Sequence, residues 1–467
     1  MTGDNHPGQT RALRSRRIVT PTGEVDGWVV LRGERIDAVL PADHRLPHMV
    51  DTERVDLGGL ALLPGFIDAH VHLNDPRSGE PWEGFDTGTR AAAAGGITTV
   101  LDMPLNSLPV TIDGAALQAK RAAAQGRLAV DVGLYGGLVP GNVERIAELL
   151  DAGVFGIKAF LCDSGLAEFP AADPDTLVRG AAAMREASPM APLLAHAERV
   201  SPAPAPEARA ERREHGSWAA SRPGSFERAA VEELAALSRR TGLRVHVVHV
   251  ADAGVVEIVR AAKQEGLPMT AETCPHYLVF DPEVDIAEGD TRFKCAPPIR
   301  GTADREALWR GLEEGVLDLV ASDHSPCPPG MKAMDTGDFF SAWGGIASLQ
   351  LGPCATWTTA SERGASLADL ARWWAHGPGA VFEVPAGIAQ GLPANLVAFD
   401  PDARWAVDGK ALEHRHAVTP YEGREMRGRV EHVWLRGARV VEHGAVLPGP
   451  KGAVLARSGA TEEAAGR

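Results

Sequence analysis

Between residues 65 and 324 one pattern recurs. An Ala-rich amphipathic stretch ends, and a short β-branched apolar run follows. Six of the seven amphipathic stretches end in glycine, which suits the left-handed position just past a helix. Continuous apolar runs suit strands buried on both faces, as in a parallel sheet. The runs are GFIDAHVHL (65–73), ITTVLDM (97–103), RLAVDVGLY (127–135), VFGIKAFL (154–161), APLLAHAE (191–198), LRVHVVHV (243–250), LPMTAETC (267–274) and VLDLVASDH (316–324). Helices are predicted near 84–94, 114–125, 142–152, 173–187, 226–241, 252–265 and 302–314, with exits at Gly96, Gly126, Gly153, Gly242, Gly266 and Gly315 and one at Ser188-Pro189. Eight strands in this alternation predict an α/β chain folded as a (β/α)8 TIM-like barrel. An open doubly wound sheet is the competing fold, and no GxGxxG follows a strand to support it.

The ends of the chain obey another rule. Residues 11–63 (WVVLRGERIDAVL) and 394–447 (NLVAFD, VEHVWLRGARVV) alternate apolar and polar positions, as antiparallel strands with one wet face do. Neither end would hold a good core alone. They are expected to pair into one small β-sandwich domain (1–63 plus 386–467) beside a catalytic barrel (64–385). The Pro- and charge-rich segment 201–215 is expected to be an exposed, mobile connection, and the tail after Leu447 to be disordered.

Composition narrows the class. The chain has 467 residues, 44% apolar and 23% charged, which suits a soluble globular protein. A net charge of −15 argues against nucleic acid or an anionic membrane as a partner. No apolar run is long enough to span a membrane, and the first residues lack the apolar segment of a secretory signal. The five cysteines are scattered without a CxxC, so a reduced, cytoplasmic protein is the simplest reading.

Barrel enzymes gather their chemistry at the C-terminal ends of the strands. Here those ends carry His70 and His72, Lys158, His196, His249 and Asp323. Strand alternation puts His70 and His72 on one face, where both can grip one ion. An isolated HxH is more often a hydrogen-bonded strand end; four matching partners on other strands reverse that balance. Lys158 on an inward strand is costly unless paired or modified. Its spacing leaves two readings open: an amine reaching for the barrel mouth, or a carbamate formed with carbon dioxide that could bridge two cations. His246, three residues before His249, is expected to pack outward. His276 is expected to be a structural loop histidine, with substrate contact as the alternative, and His324 is left open. Cys274, Cys295 and Cys327 lack paired spacing and are expected to be buried or loop thiols. Trp343 is a candidate pocket wall.

Taken together, GFIDAHVHL, GIKAFL, LLAHAE, VHVVHV and ASDHSPC resemble the cyclic amidohydrolases of the amidohydrolase superfamily, over nearly the whole chain. Dihydroorotases, hydantoinases and allantoinases are members. The resemblance implies a centre of two divalent metal ions, zinc foremost, with cobalt, iron or manganese as alternatives. It assigns His70, His72 and Asp323 to one ion, His196 and His249 to the other, and carbamylated Lys158 to the bridge. Asp323 would be the catalytic acid–base. The segments HVHLNDP, WEGFDTGTRAAAAGGITTVLDMPLNSLP, KAFLCDSGLAEFP, FKCAPPIR and SDHSPCPPGMK are similar to the allantoinase branch, implying hydrolysis of allantoin to allantoate in purine catabolism. Dihydroorotases typically carry Arg two residues after the second histidine to hold a carboxylate. Asn74 stands there, and a carboxamide suits a neutral cyclic ureide. The family likeness also suggests substrate contacts at Asn74, Asn106, Ala296 and Gly344, and a homotetramer or homodimer. Segment 199–225 is only loosely similar. Three readings compete: a hydantoinase or dihydropyrimidinase with the same metals (dihydroorotase being less favoured), a single-metal deaminase, and a non-catalytic protein on the same scaffold.

Overall fold

The computed structural model describes residues 10–20, 22–44, 52–200 and 205–458. Eight parallel strands form the centre: β1 (Phe66–Val71), β2 (Ile97–Asp102), β3 (Asp131–Leu134, continuing as Gly136–Gly137), β4 (Ile157–Phe160), β5 (Leu193–His196), β6 (Val245–Val247), β7 (Met269–Thr273) and β8 (Leu319–Val320). Each pairs with the next in chain order. A parallel bridge between Val71 and His324 joins the end of β8 back to β1, and His72 N donates to His324 O at 2.9 Å. The sheet is therefore a closed eight-stranded barrel. That closure also draws the ends of β1 and β8 together, and both carry candidate ligands.

The helices fall where the periodicity puts them, including Phe85–Ala94, Gly114–Ala124, Pro174–Ala187 and Gly224–Thr241. Their starts are set by side chains that satisfy free amides: Asp113 accepts from Ala116 N, Asp173 from Thr176 N, and Asp252 from Val255 N. At the Gly exits the backbone turns left-handed, with φ of 66° at Gly242 and 85° at Gly266. Outward residues such as Ile157, Leu193, Val245 and Ala271 pack against the helices. A second cluster, including Ile67, Leu101, Tyr135, Leu194 and Leu319, is closed off by Phe382 and fills the barrel.

The chain ends meet in one nine-stranded mixed sheet, the core of a small β-sandwich domain. Ala61–Pro64 pairs antiparallel with Leu396–Ala406 and links the N-terminal strands to the C-terminal ones. Two expectations need correction. The tail beyond Leu447 is ordered as far as 458: Val454 bridges to Val132 beside β3, and Arg457 pairs with Glu383 at 2.6 Å. Residues 459–467 lie outside the described residues. Segment 201–215 is not a loose connection where it is described. Residues 201–204 are outside that set, but Arg209–Arg212 and His215–Ser221 are helical, and Arg212 holds Asp338 at 2.7 Å.

Candidate active site

All six strand-end candidates line one cavity of about 590 Å³ at the C-terminal mouth of the barrel. The Nε2 atoms of His70 and His72 stand 3.3 and 3.5 Å from Asp323 Oδ1. The His249 ring lies 5.5 Å from the His70 ring and 4.6 Å from the His196 ring, centre to centre. Phe160 stacks flat on His196 at 4.5 Å, and Lys158 Nζ sits 5.1 Å from the Phe160 ring.

Backbone strain accompanies this cluster. Eight non-glycine residues among those described have positive φ, and four of them are Asn74, Asn106, His249 and Asp323. Left-handed backbone at such residues is held only where the surroundings enforce it, and it gathers at functional sites. At His249 it has a visible effect. The left-handed turn breaks strand alternation and brings His249 to the same side as His246, three residues earlier. His246 lies on β6 opposite the inward Leu194 and points into the barrel in step with Val248. This corrects the expectation that it packs outward. His246 is fully buried, with Nε2 2.9 Å from Glu272 Oε2 and Nδ1 2.8 Å from Thr270 Oγ1.

Glu272 joins the two layers. Its other oxygen lies 2.5 Å from His70 Nδ1, which leaves His70 Nε2 for the cavity. Metal-binding imidazoles are oriented by such carboxylates. Glu198 plays the same part for His196, at 2.8 Å from Nε2, and also takes Arg222. Burial alone would raise the Glu272 carboxyl, but His70 and His246 outweigh it and bring it down to about 2. Burial lowers the Lys158 amine to about 8 and His72 to about 4. Asp323 lies well below the usual carboxylate range: burial opposes this, and His70, His72 and His249 prevail.

The donor set fits divalent cations. Lys158 Nζ and His249 Nδ1 are buried without a hydrogen-bond partner among the described residues. Buried polar atoms are rarely left so. Imidazole nitrogens and a carboxylate converging on one cavity, beside a buried lysine amine, suit zinc and its neighbours.

Residues 61–440 match the Amidohydrolase family. The chain belongs to the amidohydrolase family. As an amidohydrolase it is similar along almost its whole length to the allantoinase of Streptomyces avermitilis, with 43% identity over 447 residues, 95% of this chain and 98% of that protein. The Arabidopsis thaliana allantoinase is 40% identical over 449 residues, 92% and 88% of the two chains. Among solved structures, the L-hydantoinase (dihydropyrimidinase) from Arthrobacter aurescens superposes with a TM-score of 0.86 at 27% identity, over 96% of this chain and 99% of that one.

The rest of the amidohydrolase pocket is built by loops. Asn106, Ala296, Trp343 and Gly344 line it. Asn74 does not. It is buried beneath, with Nδ2 donating to Pro326 O at 3.3 Å and Oδ1 unpartnered. The left-handed turn at Asn74 directs its side chain away from the face of His70 and His72. His324 is a structural hub: Nε2 donates to Glu83 at 3.2 Å and Nδ1 accepts from Ser348 N at 3.0 Å. His276 is on the short helix Pro275–Val279, not in a loop. Its two ring nitrogens are buried without partners and a ring nitrogen lies within 4.8 Å of Cys274 and Asp323 ligand atoms. Cys274, Cys295 and Cys327 are buried free thiols, and Cys295 borders the cavity.

Sequence reasoning missed Glu272, Glu198, Trp218, Arg222 and Lys294. For the two glutamates a signal existed: each sits at an inward strand-end position, Glu198 two residues past His196 and Glu272 two before Cys274. Trp218 and Arg222 come from segment 199–225, which is only loosely similar to the family, and had no such signal.

Proposed function

We propose that the protein hydrolyses the ring amide of allantoin to allantoate, within ureide and purine catabolism. The observation that carries this reading is the convergence of His70, His72, Lys158, His196, His249 and Asp323 on one cavity, in a chain whose full-length relatives are named allantoinases. His70, His72 and Asp323 would hold one divalent ion and His196 and His249 the other, with carbamylated Lys158 between them. The lowered Lys158 amine favours the neutral form that reacts with carbon dioxide. When bound, such ions polarise a carbonyl and lower the pKa of water toward neutrality.

The chain's own residues supply the rest. Asp323, ionised and fixed by Ser325 Oγ at 2.9 Å, takes the proton of the attacking water at its carboxylate and passes it to the ring nitrogen that leaves. Ala296 and Gly344 offer main-chain groups to the ring amide, and Asn106 a carboxamide at the rim. Asn74 is kept as a specificity residue acting from below the cavity. The catalytic unit is taken as 64–385, with 1–63 plus 386–467 as the β-domain. Zinc is the expected metal, and a cytoplasmic homodimer or homotetramer the expected form. No helix among the described residues is long and apolar enough to cross a membrane.

A substrate panel tests the reading. Purified protein is supplied with zinc, cobalt, manganese or iron in turn and assayed on allantoin, hydantoin, dihydrouracil and dihydroorotate. Preference for allantoin supports it. Preference for hydantoin or dihydrouracil moves the protein to the hydantoinase reading, an activity named for a structural neighbour of the same fold. Activity in protein free of divalent ions would remove the metal assignment.

A further inference from the structure

Two buried lysines beside the cavity are not used by the chemistry above. Lys294 follows the turn Thr291–Phe293, and Lys332 ends the turn Pro329–Lys332. They are 6% and 4% exposed, and among the described residues neither makes an ion pair with a carboxylate. Burying two like charges without a counter-ion is unfavourable unless other groups replace the lost water. Here backbone carbonyls do so. Lys294 Nζ donates to Phe340 O at 3.3 Å and to Ala342 O, and its remaining side faces the Trp218 ring at 4.4 Å. Lys332 Nζ donates to Lys294 O at 3.4 Å, Trp343 O at 3.2 Å and Gly345 O. An ammonium has three protons; Lys332 places all three on carbonyls, and Lys294 places two and turns its remaining side to the Trp218 ring.

The consequence falls on segment 340–345. Four of its carbonyls turn toward the two amines, while Gly345 N donates to Lys294 O at 2.8 Å and Trp343 N to Met331 O at 2.7 Å. Gly344 is different. Its amide and carbonyl have no hydrogen-bond partner among the described residues, it lines the cavity, and a Cβ placed on it would meet nothing within 4 Å. Ala296 is likewise unpartnered and lines the same cavity.

We propose that Lys294 and Lys332 are positioning residues that fold segment 340–345 so that the N–H and C=O of Gly344, with Ala296, present main-chain donor and acceptor groups to the ring amide of the substrate. The proposal rests on the cyclic-amide reading above. The two peptide units flanking Gly344 are each tied by their other half, Trp343 O to Lys332 and Gly345 N to Lys294 O, which leaves the Gly344 N–H and C=O free and holds them in place before substrate arrives. Such preorganisation lowers the loss of freedom on binding, and a misplacement of about 1 Å can change rates by about a hundredfold.

The test uses metal-loaded Lys294→Met and Lys332→Met, with Lys294→Gln and Lys332→Gln as milder variants should the first pair fail to fold. Hydrogen exchange is followed over 338–346, and kcat and KM are measured on allantoin alongside metal content. The expected result is at least about tenfold faster exchange in that segment, with kcat/KM down by about ten- to a hundredfold, mainly through KM, at unchanged metal content. Wild-type exchange in the variants overturns the proposal, as does faster exchange with kcat/KM within about twofold of wild type. If the wild type turns over no cyclic amide, the functional reading fails by itself, and the exchange measurement still decides whether the lysines hold the segment.

Discussion

Glu272 offers the sharpest test of how the site is built. Its two oxygens lie 2.5 Å from His70 Nδ1 and 2.9 Å from His246 Nε2, and it is fully buried. Glu272→Ala removes both bonds and leaves two imidazoles without their acceptor. A hydrogen bond to a charged group contributes about 1.5–3 kcal/mol, so the loss of the pair should destabilise by about 3–5 kcal/mol. Glu272→Gln is subtler. Its amide oxygen can still accept from His70 Nδ1–H. Its amide nitrogen then faces His246 Nε2, which can accept if the His246 proton moves to Nδ1, opposite Thr270 Oγ1 at 2.8 Å. The glutamine therefore fits, but the charge that would make His70 a better ligand is gone. Loss of such an orienting partner reduces metal affinity by about 10–100-fold. Both variants would be dialysed against graded chelator and their metal content read by mass spectrometry, with thermal unfolding of the metal-free forms alongside. Metal affinity within about twofold of wild type in both variants would refute the role assigned to Glu272.

Lys158→Ala should abolish activity, and short carboxylic acids should restore part of it by replacing the carbamate; near-normal activity with full metal content would sink the bridging role. His215 is buried with Nε2 unpartnered, and burial lowers it to about 4. Between that value and the unfolded value of about 6.5 the unfolded chain binds the proton and the folded one does not, so its contribution to stability is lost as pH falls through that window, up to about 3 kcal/mol. His215→Leu should therefore flatten the fall of melting temperature between pH 6.5 and 4 relative to wild type, and parallel curves would contradict this. Gly345→Ala puts a Cβ 2.2 Å from Ser325 O at a residue with φ of 149°, and should destabilise by at least about 2 kcal/mol in thermal unfolding. A melting temperature equal to wild type would show that the segment tolerates the shift.

Much of this protein follows from its order of residues. The eight apolar runs and glycine exits are local features, because a left-handed helix exit needs glycine and a strand buried on both faces needs a continuous apolar run. The barrel rule then turns strand ends into candidate ligands, so His70, His72, Lys158, His196, His249 and Asp323 were legible without coordinates. Tertiary structure decided what periodicity cannot carry. The left-handed turn at His249 breaks strand alternation, so His249 reaches the cavity although His246, three residues earlier, is inward as well, and the same kind of turn takes Asn74 out of the cavity. Glu272 is 202 residues from His70 in sequence and 2.5 Å from it in space, a meeting that only barrel closure makes. Trp218, on the helix His215–Ser221, joins the pocket wall with its Nε1 donating to Cys295 O at 3.0 Å, a contact between segments far apart in sequence. Local backbone preference is written residue by residue. Which distant groups share a buried space depends on the closed sheet and the loops packed across its mouth.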